Sequence, residues 1–186
     1  MNALLSLWLP ILLSAAAVFV ISSLIHMVFK YHAPEYRGFA NEDAVRAAIR
    51  AGNPAPGRYV VPYCADMKEM ASEAMVRKYQ EGPVAQMAVG PSGAPNIGKH
   101  LGQWFVVTVF VSAVAAFLAT RFVAFDAGQA ARAAKFVGVV SFLAYGIGTI
   151  QESIWAMRPW SSTVKYLIDS ALYGVGTGLV FWWLWP

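Results

Sequence analysis

Ionisable residues are few in this chain, and those able to do chemistry lie near the ends of its apolar runs. They are three histidines, His26, His32 and His100, and two carboxylates, Glu152 and Asp169. Imidazole and carboxylate bind divalent metals, imidazole can also hold haem, and both groups can pass protons to a quinone. The spacing does not choose among these chemistries. No His-x-x-x-His pair and no carboxylate-x-x-His unit falls on one helix, so a shared site must draw on several elements. Water at the ends of helices can satisfy such groups one by one. The expectation is therefore no cofactor and no metal site, with haem or a divalent metal as the alternative.

A second set, Glu152, Arg158, Lys165 and Asp169, flanks the segment Gln151–Lys165 together with Trp155, Trp160 and Tyr166. Lys165 precedes Asp169 by one helical turn, so the two are expected as neighbours on one face. Arg158 is placed to reach either carboxylate. Ion pairing that fixes a helical hairpin is the economical account of all four, and no catalytic residue is predicted.

Two other motifs carry less. Gly93-Ala-Pro-Asn-Ile-Gly98-Lys99 has the letters of a phosphate-binding loop, but His100 stands where Ser or Thr would reach magnesium. Pro95 also removes an N–H from a cradle that works through N–H groups, so no nucleotide is expected. Cys64 with Met67 and Met70 has the softness of a copper(I) ligand set, yet methionines at helical spacing more often fill packing gaps. Cys64 is the single cysteine, which rules out an internal disulfide and a thiolate zinc framework.

The elements that must position these residues are apolar helices. The chain has 186 residues and is 58% hydrophobic but 13% charged, whereas soluble domains run near 45–50% and about 25%. Charge-free or nearly charge-free runs at about residues 4–29, 101–121, 136–155 and 166–185 read as four membrane spans. The first is read as a retained span rather than a signal peptide, because no charged n-region precedes it and Ala15-Ala16-Ala17 lies inside it. The predicted fold is an all-α integral membrane protein, a four-span helical bundle.

Four spans place both termini and the Arg121–Lys135 loop on one side. Residues 31–100 and the 151–165 turn fall on the other. Aromatic residues sort the same way. Trp8, Phe122, Phe125, Trp182, Trp183 and Trp185 lie at the first side, and Tyr31, Trp104, Trp155, Trp160 and Tyr166 at the second. Lysine and arginine after the first span favour a cytoplasmic location for the insert 31–100, in a bacterial inner membrane. The net charge of +4 is spread singly, which fits anionic lipid rather than nucleic acid.

The insert is expected to be a small α+β polar cap. A helix is predicted from Asn41 to Gly52, a short strand at Tyr59–Tyr63, a second helix from about Asp66 to Glu81, and a strand at Val84–Val89. Within the bilayer, small residues at four-residue spacing should set the packing: Ser170, Gly174 and Gly178; Ser112 and Ala116; Ala144 and Gly148. These faces serve either this bundle or a homo-oligomer or partner helix. Without catalytic motifs or midplane charges, enzymatic activity is disfavoured. The expected role is an accessory, assembly or scaffolding subunit of a larger membrane complex, in contact with lipid and other subunits. The alternatives are a small transporter or ligand-binding membrane protein, with a polar cavity around Ser141, Tyr145, Thr149 and Tyr173, and a redox or metal-binding subunit using the histidines.

Overall fold

The structure is a computed structural model that describes residues 3–186. After a one-turn helix at Ala3–Ser6, the elements in chain order are α1 (Trp8–Ser23), α2 (Glu42–Ala51), β1 (Gly57–Val61), α3 (Glu73–Glu81), β2 (Ala85–Val89), α4 (Ile97–Phe122), α5 (Ala130–Trp155) and α6 (Trp160–Leu184). Helix α1 continues as a π-helical turn, Leu24–Phe29, and ends where Lys30 adopts a left-handed conformation with φ of 52°. The chain forms two compact units, one of residues up to Tyr36 with Asn96–Pro186, the other Arg37–Pro95.

The first unit holds four helices long and apolar enough to cross a membrane, Trp8–Phe29, Ile97–Phe122, Ala127–Trp155 and Trp160–Leu184. A helix of 25 residues is about 37 Å long, against about 30 Å of hydrocarbon. Length and composition suggest an integral membrane protein. The helices extend further than the apolar runs alone suggest. Helix α5 carries Glu152 within its last turn, and α6 begins at Trp160, so only residues 156–159 form the turn. Lys165 and Asp169 therefore stand on a helix, with Asp169 nine residues inside it.

Packing follows small residues. A Cβ added to Gly174 would meet the carbonyl oxygen of Gly138 at 2.6 Å, and one added to Gly178 would meet that of Ala134 at 2.9 Å. The Gly174/Gly178 edge is thus occupied by α5 of the same chain, in keeping with packing inside the bundle. The facing track on α5 is Ala134, Gly138 and Gly146, and a Cβ added to the last would lie 3.0 Å from the Ser170 side chain. A Cβ added to Gly148, of the expected pair Ala144 and Gly148, would meet nothing within 4 Å, so that position is open within this bundle. Ser112 and Ala116 are buried on α4 beside Ala115 and Ala119. At one end the core gathers Leu7, Ile11, Ala119, Val137, Phe181 and Trp185. At the other it gathers Val18, Ile25 and Tyr173, with Trp104 and Tyr145 packed against them.

The aromatic belts are partly corrected. Trp8, Trp182, Trp183, Trp155 and Trp160 are exposed as interfacial anchors should be. Trp185 is instead buried in the core and donates from its indole nitrogen to the Ala124 carbonyl at 3.1 Å. Trp104, Tyr31 and Tyr166 also turn inward, toward the site described below.

The second unit is a two-stranded antiparallel sheet, β1 with β2 in the register Tyr59↔Met87, and two short helices. Helix α2 presents Val45 and Ile49 as its half-buried face, as its pattern predicts. The predicted helix from Asp66 to Glu81 is broken. Met67–Ala71 is a 3-10 turn, and Ser72 restarts the chain as the N-cap of α3, accepting from the Met75 N–H. Serine competes with the helix through such local bonds, which the methionine spacing masks. Cys64 donates its thiol to the Asp66 carbonyl, and Met67 is 76% exposed. Asn96, from the phosphate-loop-like stretch, caps α4 by accepting from the Lys99 N–H.

Candidate functional site

The site is built at the end of the four-helix unit where α1 stops and α6 has run for two turns. His26 lies in the π turn that closes α1, and such turns recur at functional positions because they displace a side chain from the regular helical face. The left-handed residue Lys30 then reverses the chain. Tyr31 and His32 fold back toward α6, and a 3-10 turn at Ala33–Glu35 follows. Without that reversal, His26 and His32 could not face each other. With it, their rings lie parallel with centroids 4.9 Å apart.

His32 is the centre of the arrangement and is buried. Its Nε2 lies 2.8 Å from Asp169 Oδ2, and its Nδ1 lies 3.0 Å from Glu35 Oε1. Lys165 places its Nζ 3.0 Å from the same Glu35 oxygen and donates to the Tyr31 carbonyl at 2.7 Å. Burial pushes the His32 imidazole below its ordinary pKa, outweighing the attraction of Glu35. Burial alone would raise the Glu35 carboxyl. The hydrogen bond from Lys165 and the field of His32 reverse this and hold it below its ordinary range. Glu35 accepts from Lys165 and faces His32 Nδ1, where it offers a place for the ring's N–H.

A consequence follows for the other ring nitrogen. With the proton on Nδ1, Nε2 presents a lone pair to a carboxylate oxygen at 2.8 Å. Two lone pairs at that distance need a positive particle between them, a proton or a cation. The second Asp169 oxygen, Oδ1, is buried and has no hydrogen-bond partner, in a residue 1% exposed on a membrane helix. His26 repeats the pattern: its Nδ1 lies 2.9 Å from the Ser22 carbonyl, which can only accept, so its Nε2 is the free nitrogen.

A chamber of about 650 Å³ opens beside this cluster. His26, His100, Trp104, Tyr145, Arg158, Tyr166, Asp169 and Tyr173 are in its wall. The rings of Trp104, Tyr145 and Tyr173 form a triangle with centroids 5.4 to 6.2 Å apart. Trp104 Nε1 and the Tyr145 hydroxyl are buried without a partner. A chamber with apolar walls and a few convergent polar groups is the usual form of a small-ligand site.

The residues singled out from sequence are thus divided. His26, His32, Lys165 and Asp169 come together, while His100 and Arg158 line the chamber without joining the cluster. The guanidinium of Arg158 lies 4.9 Å over the ring of Tyr166. Lys165 pairs with Glu35 and not with Asp169, although both stand on one face of α6. The Glu152 carbonyl closes the 156–159 turn by accepting from the N–H groups of Ala156 and Arg158. Of the expected cavity residues, Tyr145, Thr149 and Tyr173 line the chamber, and Ser141 is buried elsewhere. Glu35 was missed, because it belongs to a loop whose only signal is a carboxylate three residues after a histidine. No protein-family model, curated protein or solved structure matches the chain.

Proposed function

We propose that this is a ligand-binding membrane protein, with the chamber between α1, α4, α5 and α6 as its binding site. The observation that carries this reading is Asp169. It is a buried carboxylate on an apolar helix, one oxygen shared with His32 and the other without a partner, in the wall of a 650 Å³ chamber. Ionisable groups at such positions are costly to bury and mark functional sites by default. The unpartnered donors on Trp104 and Tyr145 support the same reading, since a ligand offering an acceptor would satisfy both. The test is to purify the full chain in nanodiscs and analyse what stays bound by native mass spectrometry and elemental analysis. Retention by wild type and loss in Asp169→Asn support the reading. A wild-type protein that carries and takes up nothing overturns it.

A second reading, the accessory subunit of a larger membrane complex, draws on the outer face of the α5–α6 pair. There Ala131, Ala134, Gly138, Val139, Leu179 and Trp182 line an apolar groove of about 660 Å³ that admits a neighbouring helix. Affinity purification in mild detergent tests it, and recovery of a pure monomer without partners removes it.

A further inference from the structure

Resting on the chamber as a binding site, we propose that its ligand is a divalent first-row transition metal ion held by His26, His32 and Asp169. Each of these residues offers one ligand atom, and the three atoms lie within 4.8 Å of one another. The Ser22 carbonyl and the Glu35 carboxylate each lie in hydrogen-bond reach of an Nδ1, of His26 and of His32, which would turn both Nε2 lone pairs toward an ion. Metal-binding histidines commonly donate their other N–H to a carbonyl or a carboxylate in this way, which fixes the ring and raises its basicity.

The distances fit as well. Two ligand atoms each about 2.0–2.1 Å from a zinc-like ion lie roughly 2.8–3.4 Å apart, and His32 Nε2 to Asp169 Oδ2 measures 2.8 Å. The ion would take the place of the positive particle that this contact needs, and the idle Oδ1 of Asp169 lies next to it. His26 completes the set from the π turn, its ring stacked on that of His32 and its ligand atom within 4.8 Å of the other two.

Ligand chemistry narrows the ion. Imidazole and carboxylate with no thiolate suit zinc, iron(II), cobalt(II) or manganese(II) over copper(I). Three protein ligands leave a coordination position for the chamber, the pattern of an ion that meets a further ligand rather than one that only braces the fold. Glu35 does not touch the ion in this arrangement. It acts as a positioning residue behind His32, itself held by Lys165.

The full chain in nanodiscs, stripped with chelator, is titrated with cobalt(II) alone and separately with zinc(II) alone. The expected result is one ion per chain by elemental analysis, with the visible bands of a low-symmetry cobalt site. His26→Gln, whose exposed position leaves the fold intact, lowers affinity by at least about 100-fold, and Glu35→Gln lowers it by about 10–100-fold. Cys64→Ser, which removes the single thiol of the chain in the other unit, leaves affinity unchanged. Absence of stoichiometric uptake by wild type overturns the proposal, as does equal binding by wild type and a folded His26→Gln protein. An organic molecule retained by wild type and lost in Asp169→Asn, with no cobalt bound, would sink the metal and leave the chamber reading standing. Retention of neither removes both.

Discussion

The close approach of α5 and α6 can be tested at single atoms. Replacing Gly174 by Ala adds a methyl group whose carbon would lie 2.6 Å from the carbonyl oxygen of Gly138 and 3.3 Å from the Cβ of Phe142. The first of these neighbours is backbone and cannot rotate away. Ordinary carbon–oxygen contacts run about 3.3–3.6 Å, so the helices must part locally by roughly 0.7 Å or more. A gap of 0.5–1 Å forfeits about a quarter to a half of each dispersion contact across it, and overpacking of this kind costs about 1–3 kcal/mol. Against this, alanine is favoured over glycine in a helix by about 1 kcal/mol. The net expectation is a loss of up to about 2 kcal/mol. Gly148 is the control on α5, because nothing lies within 4 Å of its added Cβ. Gly148→Ala should therefore be neutral or stabilising by up to about 1 kcal/mol. Gly146→Ala should fall between them, its neighbours being the Ser170 side chain at 3.0 Å and the flexible Leu167 at 3.2 Å. Reversible SDS titration from bicelles, followed by circular dichroism, gives the three values. If Gly174→Ala is as stable as Gly148→Ala, the Gly174–Gly138 contact is not what sets the spacing of these helices.

Lys165→Met leaves the Glu35 carboxylate, 13% exposed, without its cation and frees the Tyr31 carbonyl. It should cost about 1–3 kcal/mol, and less in a Glu35→Gln background, measured as a double-mutant cycle in the same SDS titration. Trp185→Phe keeps the buried ring but removes the bond to Ala124, for a loss of about 1 kcal/mol and a blue-shifted tryptophan emission difference confined to the folded state. Ser72→Ala removes the cap of α3 and should cost about 1 kcal/mol, read as faster amide exchange at Met75 with no change in cobalt uptake.

The sequence announced the four apolar helices through runs too long and too free of charge for anything else, and the structure has helices at all four. Their ends were harder to read. Glu152 and Lys165 look like loop residues when charge is taken as the boundary, but lysine and glutamate are good helix formers and α5 and α6 continue through them. The GxxxG edge at Gly174 and Gly178 was legible, whereas its partner at Gly138 was hidden because Phe142 interrupts the four-residue spacing on α5. At the site, His26, His32 and Asp169 were each visible as unusual residues. Their convergence was not, since it depends on a π turn and on the left-handed Lys30, neither of which has a pattern in the letters. The Lys165–Asp169 pairing suggested by one-turn spacing gave way to Glu35, which approaches from a loop 130 residues away in the chain.

The bond between His32 and Asp169 joins residues 137 positions apart, and the one from Lys165 to Tyr31 joins residues 134 apart. During synthesis, α1 and its histidines emerge long before α6 exists. Until α6 arrives, His32 lacks the partners that fix its place. The cluster therefore closes last, and only in a chain that has inserted every span. A nascent chain halted before Trp160 would present loose histidines at the end of its first helix. The ion-pair clasp thus doubles as a record of completed assembly.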